Sequence, residues 1–178
     1  GSGAVVIDQI DTLAPMIQEV VYSTTEWTNQ NVTVTVIVAD EAGGSGVFLQ
    51  EGEDTRVFTE NGTYLFEFQD RAGNQVQQLV TVGNIDKEAP VALLQYSHDS
   101  WTQEEVTVTL AFDNETQPVT ILNNQGSNRY TFKQNGSFAF EFEDAAGNRG
   151  TAEASVGHID REKPQVNVRY MTSGGHPY

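Results

Sequence analysis

Apolar residues recur at every second position along most of this chain. Val32, Val34, Val36 and Val38 alternate with Thr33 and Thr35, and Val106, Val108, Leu110 and Phe112 repeat the pattern. A period of two puts such residues on one face of a pleated strand, so both stretches predict half-buried β-strands. Tyr64, Phe66 and Phe68, like Phe138, Phe140 and Phe142, form a second inward face, with Glu67, Glu141 and Glu143 turned outward. Val20 with Tyr22 and Leu94 with Tyr96 predict an opening strand, and Val80 with Val82 and Ala154 with Val156 a closing one. Between them, Val47–Leu49 and Arg56–Phe58 read as a hairpin turning at Gln50–Asp54, with an equivalent turning near Asn123–Asn128. Nowhere do apolar residues keep helical spacing long enough to predict a helix.

The pattern is duplicated. Ile10-Asp11, Ile85-Asp86 and Ile159-Asp160 are each followed, four residues after the Asp, by Pro15, Pro90 and Pro164. From Tyr22 onward the first copy overlays the second at a constant offset of 74 positions. It pairs Trp27-Thr28 with Trp101-Thr102, Asn61-Gly62 with Asn135-Gly136, and Asp70 to Asn74 with Asp144 to Asn148. One extra residue between Pro15 and Tyr22 predicts a bulge in the first strand. About seven short strands in roughly 75 residues, separated by Gly, Asn and Asp turns, predict an all-β chain of two tandem immunoglobulin-like antiparallel β-sandwiches without disulfides. The expected division is a lead-in at 1–9, whose Gly1–Ser2–Gly3 reads as a cloning remnant, then domain 1 at 10–84 and domain 2 at 85–158. Residues 159–178 read as the start of a further repeat or a linker. No signal peptide follows the lead-in, so the chain reads as a fragment of something longer.

Charge narrows the partners. With Lys+Arg 9 against Asp+Glu 25, the 178 residues carry −16 at pH 7, which argues against nucleic acid and anionic membranes. The lack of cysteine removes thiolate nucleophiles and Cys-ligated zinc, and leaves packing or a hard metal to brace small domains.

These strings resemble the tandem bacterial Ig-like repeats of large secreted or cell-wall-attached proteins of Gram-positive bacteria. The residues that carry the likeness are Tyr22-Ser23 with Trp27-Thr28, Asn61-Gly62 with Phe66-Glu67-Phe68, Asp70-x-Ala72-Gly73-Asn74, and Ile85-Asp86 with Pro90. The resemblance implies an extracellular location at the cell wall or cell surface, and a monomeric rod whose partners are neighbouring domains of its own chain. A non-catalytic spacer, two sandwiches in line, is the leading expectation. The alternative is an adhesin or carbohydrate-binding module attached to a polysaccharide-degrading enzyme, with a glycan or surface protein as partner.

Candidate chemistry gathers in loops. An Ig-like sandwich brings the lead into its first strand, the loop after its second strand and the loop before its last strand to one pole. In domain 1 that pole would hold Asp11 (with Asp8 as an alternative), Asp40, Glu41 and Asp70. In domain 2 it would hold Asp86, Glu88, Asp113, Asn114, Glu115 and Asp144. Clustered carboxylates repel one another, and Ca²⁺, which takes 6–8 oxygen ligands, would turn that repulsion into a clamp at the joint. The competing expectation is a solvated acidic face, with Asp70 and Asp144 serving only to close their turns. Trp27 and Trp101 suit either a ledge for a sugar ring or, more in keeping with their presence in both units, a plug in the end of the sandwich. Asn124 and Arg129 are the polar candidates in the second hairpin. No catalytic set is expected: His98, His158 and His176 lack metal-ligand spacing, and no phosphate loop or nucleophile elbow occurs. The Asn-x-Ser/Thr triplets at Asn31, Asn61, Asn114 and Asn135 read as ordinary strand and turn residues.

Overall fold

A computed structural model describes residues 1, 3, 10–171, 173 and 174. Asp8, His176 and most of the expected lead-in lie outside the described residues. The chain is all-β, and the described residues form twelve strands in four antiparallel three-stranded sheets. In the first unit, β1 (Met16–Tyr22), β2 (Val32–Ala39) and β4 (Thr55–Phe58) form one sheet. The other is β3 (Val47–Phe48), β5 (Gly62–Asp70) and β6 (Gln75–Val82), in the order β3-β5-β6. In the second unit, β7 (Ala92–Tyr96), β8 (Val106–Phe112) and β10 (Arg129–Phe132) form one sheet, and β9 (Thr120–Ile121), β11 (Gly136–Glu143) and β12 (Arg149–Val156) the other.

Alternation decides what is inside. Val32, Val34, Val36, Phe66, Phe68, Val80 and Val82 make one core, and Val106, Val108, Leu110, Phe140, Phe142, Ala154 and Val156 a second, separate one. Each face carries residues two apart, as burial of one side of a pleated sheet requires. Where unit 1 packs Val38 and Val76, unit 2 has Phe112 and Gly150. The Phe112 ring stands edge-on to Phe142 at 4.8 Å, and a side chain at Gly150 would collide with the Phe142 ring. The extra residue in the first strand is a bulge as expected: the β1–β2 register shifts between Ile17 and Glu19.

Two expectations are corrected. The paired runs on either side of Gln50–Asp54 are not a hairpin, because Val47 pairs with Asp70 on β5 whereas Thr55–Phe58 pairs with β2. The turn carries the chain from one sheet to the other. The same holds in unit 2, where β9 joins β11, β10 joins β8, and a single 3₁₀ turn at Asn124–Gly126 lies between them. Among the described residues each unit accordingly has six strands, where about seven are expected from the sequence.

Candidate acidic sites at the unit poles

Among the described residues two carboxylate clusters form, one per unit. Oxygens of Asp11, Asp40 and Asp70 all lie within 4.8 Å of one another, as do those of Asp86, Glu115 and Asp144. Three places in the chain build each cluster: the lead into the first strand, the loop after the second strand, and the turn between the last two.

The turn is set by local chemistry. Asp70, only 1% exposed, accepts the Asn74 N–H at 2.9 Å on one oxygen and the Asn74 side-chain amide at 2.7 Å on the other, while Gly73 takes φ +97 to reverse the chain. Asp144, 6% exposed, accepts the N–H groups of Ala146 and Asn148, both at 2.8 Å, and the Asn148 amide at 2.8 Å. Turn closure and cluster membership therefore coincide in one residue. The same Asn also holds the lead-in strand: Asn74 donates to the Asp11 carbonyl at 3.3 Å, and Asn148 to the Asp86 carbonyl at 2.9 Å.

The middle loop differs between the units. In unit 1 the Asp40 carboxylate accepts the Gly46 N–H at 2.6 Å and the Glu41 N–H at 3.1 Å, and Asp11 accepts the Ser45 N–H at 2.8 Å. The hydrogen bonds from Ser45 hold the Asp11 carboxyl down at about 2. Glu41 leans on the Asp40 carboxylate, which raises its pKa, and its Oε2 is buried without a hydrogen-bond partner. In unit 2 Glu115 joins the cluster. Partial burial, then the charges of Asp144, Asp86 and Glu88, raise its pKa.

Among the described residues Glu88 and Asp113 fall outside the 4.8 Å groups, although the charge of Glu88 reaches Glu115. Asn114 accepts the Val91 N–H at 2.7 Å and donates to the Ala89 carbonyl, pinning the start of β7. Asp113 is exposed and uses its backbone N–H on the Val91 carbonyl. Glu88 is exposed, and its backbone N–H caps Asp86. Trp101, 73% exposed, does not plug the end of its sandwich, whereas Trp27 is 36% exposed. Asn124 spends its amide on the Ser127 and Arg129 carbonyls, at the Leu110 end of β8, whereas Trp101 lies beyond the Val106 end. These four residues are not brought into one site.

Sequence reading missed a pair of clamps. Asn61 donates to the Ile85 carbonyl and accepts its N–H, both at 2.8 Å, and Asn135 does the same to Ile159 at 3.0 and 2.8 Å. Their repetition as Asn-Gly at the fixed offset was the available signal. Sequence reading also missed the meeting of two histidines: His158 Nε2 lies 3.0 Å from the His98 carbonyl, and His98 sits between Ser97 and Glu104. Ser97 Oγ there accepts the Thr107 N–H, as Ser23 accepts that of Thr33 in unit 1, so its role is structural.

The donor sets at the poles are all oxygen, crowded and negative, which fits a hard divalent cation and not a soft one. No family model, no curated protein and no solved structure matches the chain.

Proposed function

We propose that this chain is a non-catalytic structural spacer of an extracellular surface or secreted protein, two Ig-like sandwiches held in line and stiffened by Ca²⁺ at the acidic poles. What supports the Ig-like part of the reading is the strand order, with the first, second and fourth strands in one sheet and the third, fifth and sixth in the other, as in the two sheets of a constant-type Ig domain without its D strand.

The observation that carries the reading is the double attachment of Asp86. Its N–H donates to the Thr28 carbonyl of unit 1 at 2.9 Å, its carbonyl accepts from Asn148 of unit 2, and its carboxylate belongs to the unit 2 cluster. Asn29 of unit 1 also donates to the Ala146 carbonyl of unit 2 at 3.1 Å. A linker residue bound on both sides leaves little freedom to the joint. A cation on Asp86, Glu115 and Asp144 would tie the linker to two further loops, adding electrostatic attraction where the chain now has repulsion.

Small-angle scattering tests this. An in-line particle of about 70–80 Å is expected from two sandwiches of strands rising ~3.3 Å per residue, with its length insensitive to concentration and its flexibility lower in millimolar Ca²⁺ than in chelator. A compact profile in both conditions would refute the spacer. The exposed Trp101 favours one second reading, a glycan-binding module. Retention on a polysaccharide column that is lost on Trp101→Ala would replace the spacer reading with it.

A further inference from the structure

We propose that the pole of unit 2 around Trp101, Gln103 and Asp160 is a docking face for another sandwich of the same repeat, entered through Ile159–Tyr170. The inference rests on the in-line reading above and extends it by one joint.

The far pole of unit 2 carries the same parts as the pole of unit 1 that already meets a neighbour. At the first joint, Thr28 bridges Ile85, Asn61 clamps Ile85, and Lys87 reaches the Thr59 carbonyl at 2.7 Å. At the far pole, Thr102 bridges Ile159, Asn135 clamps Ile159, and Arg161 reaches the Lys133 carbonyl at 2.7 Å. What differs is the cover. Asn29 gives its N–H to Ala146 across the first joint, while the N–H of Gln103, in the matching place, has no partner among the described residues. Trp27 is 36% exposed and its counterpart Trp101 73%. Pro90 is buried and Pro164 exposed, and Asp86 is half-buried and Asp160 exposed.

The chain beyond the linker points to the occupant. Val166, Val168 and Tyr170 stand 74 positions after Ala92, Leu94 and Tyr96, which pack on the unit 2 core as its first strand. Here the same alternating face is exposed. The segment lies outside any strand here; paired as one, its single apolar face would require a second sheet to bury it. The sandwich it opens would present the carbonyl and the Asn amide of an Asp-x-Ala-Gly-Asn turn to Gln103 N–H and the Asp160 carbonyl, as Ala146 and Asn148 do at the first joint.

The test extends the chain: the sequence of residues 97–160 is appended after Tyr170, with Phe in place of the appended Trp, in a Trp27→Phe background so that Trp101 alone fluoresces. Acrylamide quenching of Trp101 is expected to fall about twofold on extension, towards the value of Trp27 read in the unextended Trp101→Phe chain. Gln103→Pro, which removes the donor N–H, should reverse it. A third sandwich that folds, seen as added cooperative urea unfolding, with Trp101 quenching unchanged would overturn the docking face. Failure of the third sandwich to fold, where a control chain bearing the Val91–Tyr96 sequence in place of Gln165–Tyr170 does fold, would overturn the assigned first strand. If Trp27 proves as quenchable as Trp101 in the unextended chains, the in-line reading itself fails, which separates that failure from this one.

Discussion

The two acidic clusters occupy the same place in the same fold, yet they handle their charge differently. In unit 1 the loop after β2 is Asp40-Glu41-Ala42-Gly43-Gly44-Ser45-Gly46. Gly43 and Gly46 take φ +86 and +87, and a side chain at Gly44 would run into Asp40. That freedom lets the chain curl its Ser45 and Gly46 amides onto Asp11 and Asp40, so each of the three carboxylates accepts two hydrogen bonds. In unit 2 the matching positions are Gln117, Pro118, Val119 and Thr120. None is glycine, and Pro118 has no N–H to give. There Asp144 takes three hydrogen bonds, Asp86 one and Glu115 none among the described residues. Unit 1 meets its repulsion with backbone dipoles, whereas unit 2 leaves it for a proton or a cation to meet. If both poles bind Ca²⁺, the second should gain more from it.

The largest expected effect tests that asymmetry. A ligand at a hundredfold excess over its Kd adds about 2.7 kcal/mol to the state it binds, and each kcal/mol moves the midpoint of a domain this small by roughly 4–8 °C. Calorimetric scans in millimolar Ca²⁺ against chelator should therefore raise the unit 2 transition by ~10 °C or more and that of unit 1 by less. Glu115→Gln should erase the first rise and spare the second. Equal rises would break the comparison, and no rise in either unit removes calcium from the proposal.

Next come the clamps. Asn61→Ala and Asn135→Ala each strip two hydrogen bonds from an isoleucine backbone that is buried, at a cost of about 2–3 kcal/mol, read as a lower urea midpoint. Only Asn61 holds the linker that delivers Asp86. Its loss should therefore also weaken the calcium response of unit 2, and loss of Asn135 should not. Equal calcium responses in the two variants would mean that unit 1 does not position Asp86.

How much of this was legible in the sequence depends on range. Strands and cores follow from local alternation, and the bulge at β1 from a one-residue mismatch in the overlay. The membership of Asp11, Asp40, Asp70, Asp86, Glu115 and Asp144 followed from a topological rule about which loops share a pole. Sheet assignment did not follow: a Gly/Asp turn between two apolar runs looks alike whether the chain returns to its own sheet or crosses to the facing one, and only pairing with β2 or β5 decides. The engagement of Asn114 was hidden for a related reason. Its counterpart Asp40 faces the cluster, but an amide can both donate and accept, and Val91 and Ala89 offer it a partner of each kind. The Asn61 and Asn135 clamps were hidden because Asn-Gly is ordinary turn chemistry.

That substitution offers a direct handle on the comparison. Asn114→Asp keeps the oxygen that accepts the Val91 N–H, gives up the weak bond to Ala89, and puts an additional acid where unit 1 has Asp40. Titration calorimetry should show unit 2 binding Ca²⁺ more tightly by up to about tenfold, or ~1.4 kcal/mol, with the calcium-free protein less stable than the parent. Unchanged affinity would mean that residue 114 stays bonded to the Val91 N–H and does not reach the ion even when charged.

The smallest effect is the dependence on pH. Glu41 and Glu115 have folded pKa values above their ordinary 4.5, Glu41 through Asp40 and Glu115 through partial burial and its acidic neighbours. Between 4.5 and those raised values the native state holds more protons than the unfolded chain, so stability falls as pH rises. In chelator, acidifying from neutrality towards 4.5 should raise the melting temperature, with Glu115→Gln flattening the part that belongs to unit 2. Asp11 acts in the opposite sense: held at about 2 instead of 3.8, it contributes stability above 3.8 that is lost as pH falls through about 2, so the gain should reverse in strong acid. With Ca²⁺ bound, protons compete for the same oxygens, and acidification over the first range should lower the melting temperature instead. Opposite slopes with and without the ion are the expected signature of carboxylates whose repulsion a cation relieves. A melting temperature in chelator that does not rise as pH falls from neutrality towards 4.5 would mean that these acids are screened well enough by solvent to need neither partner.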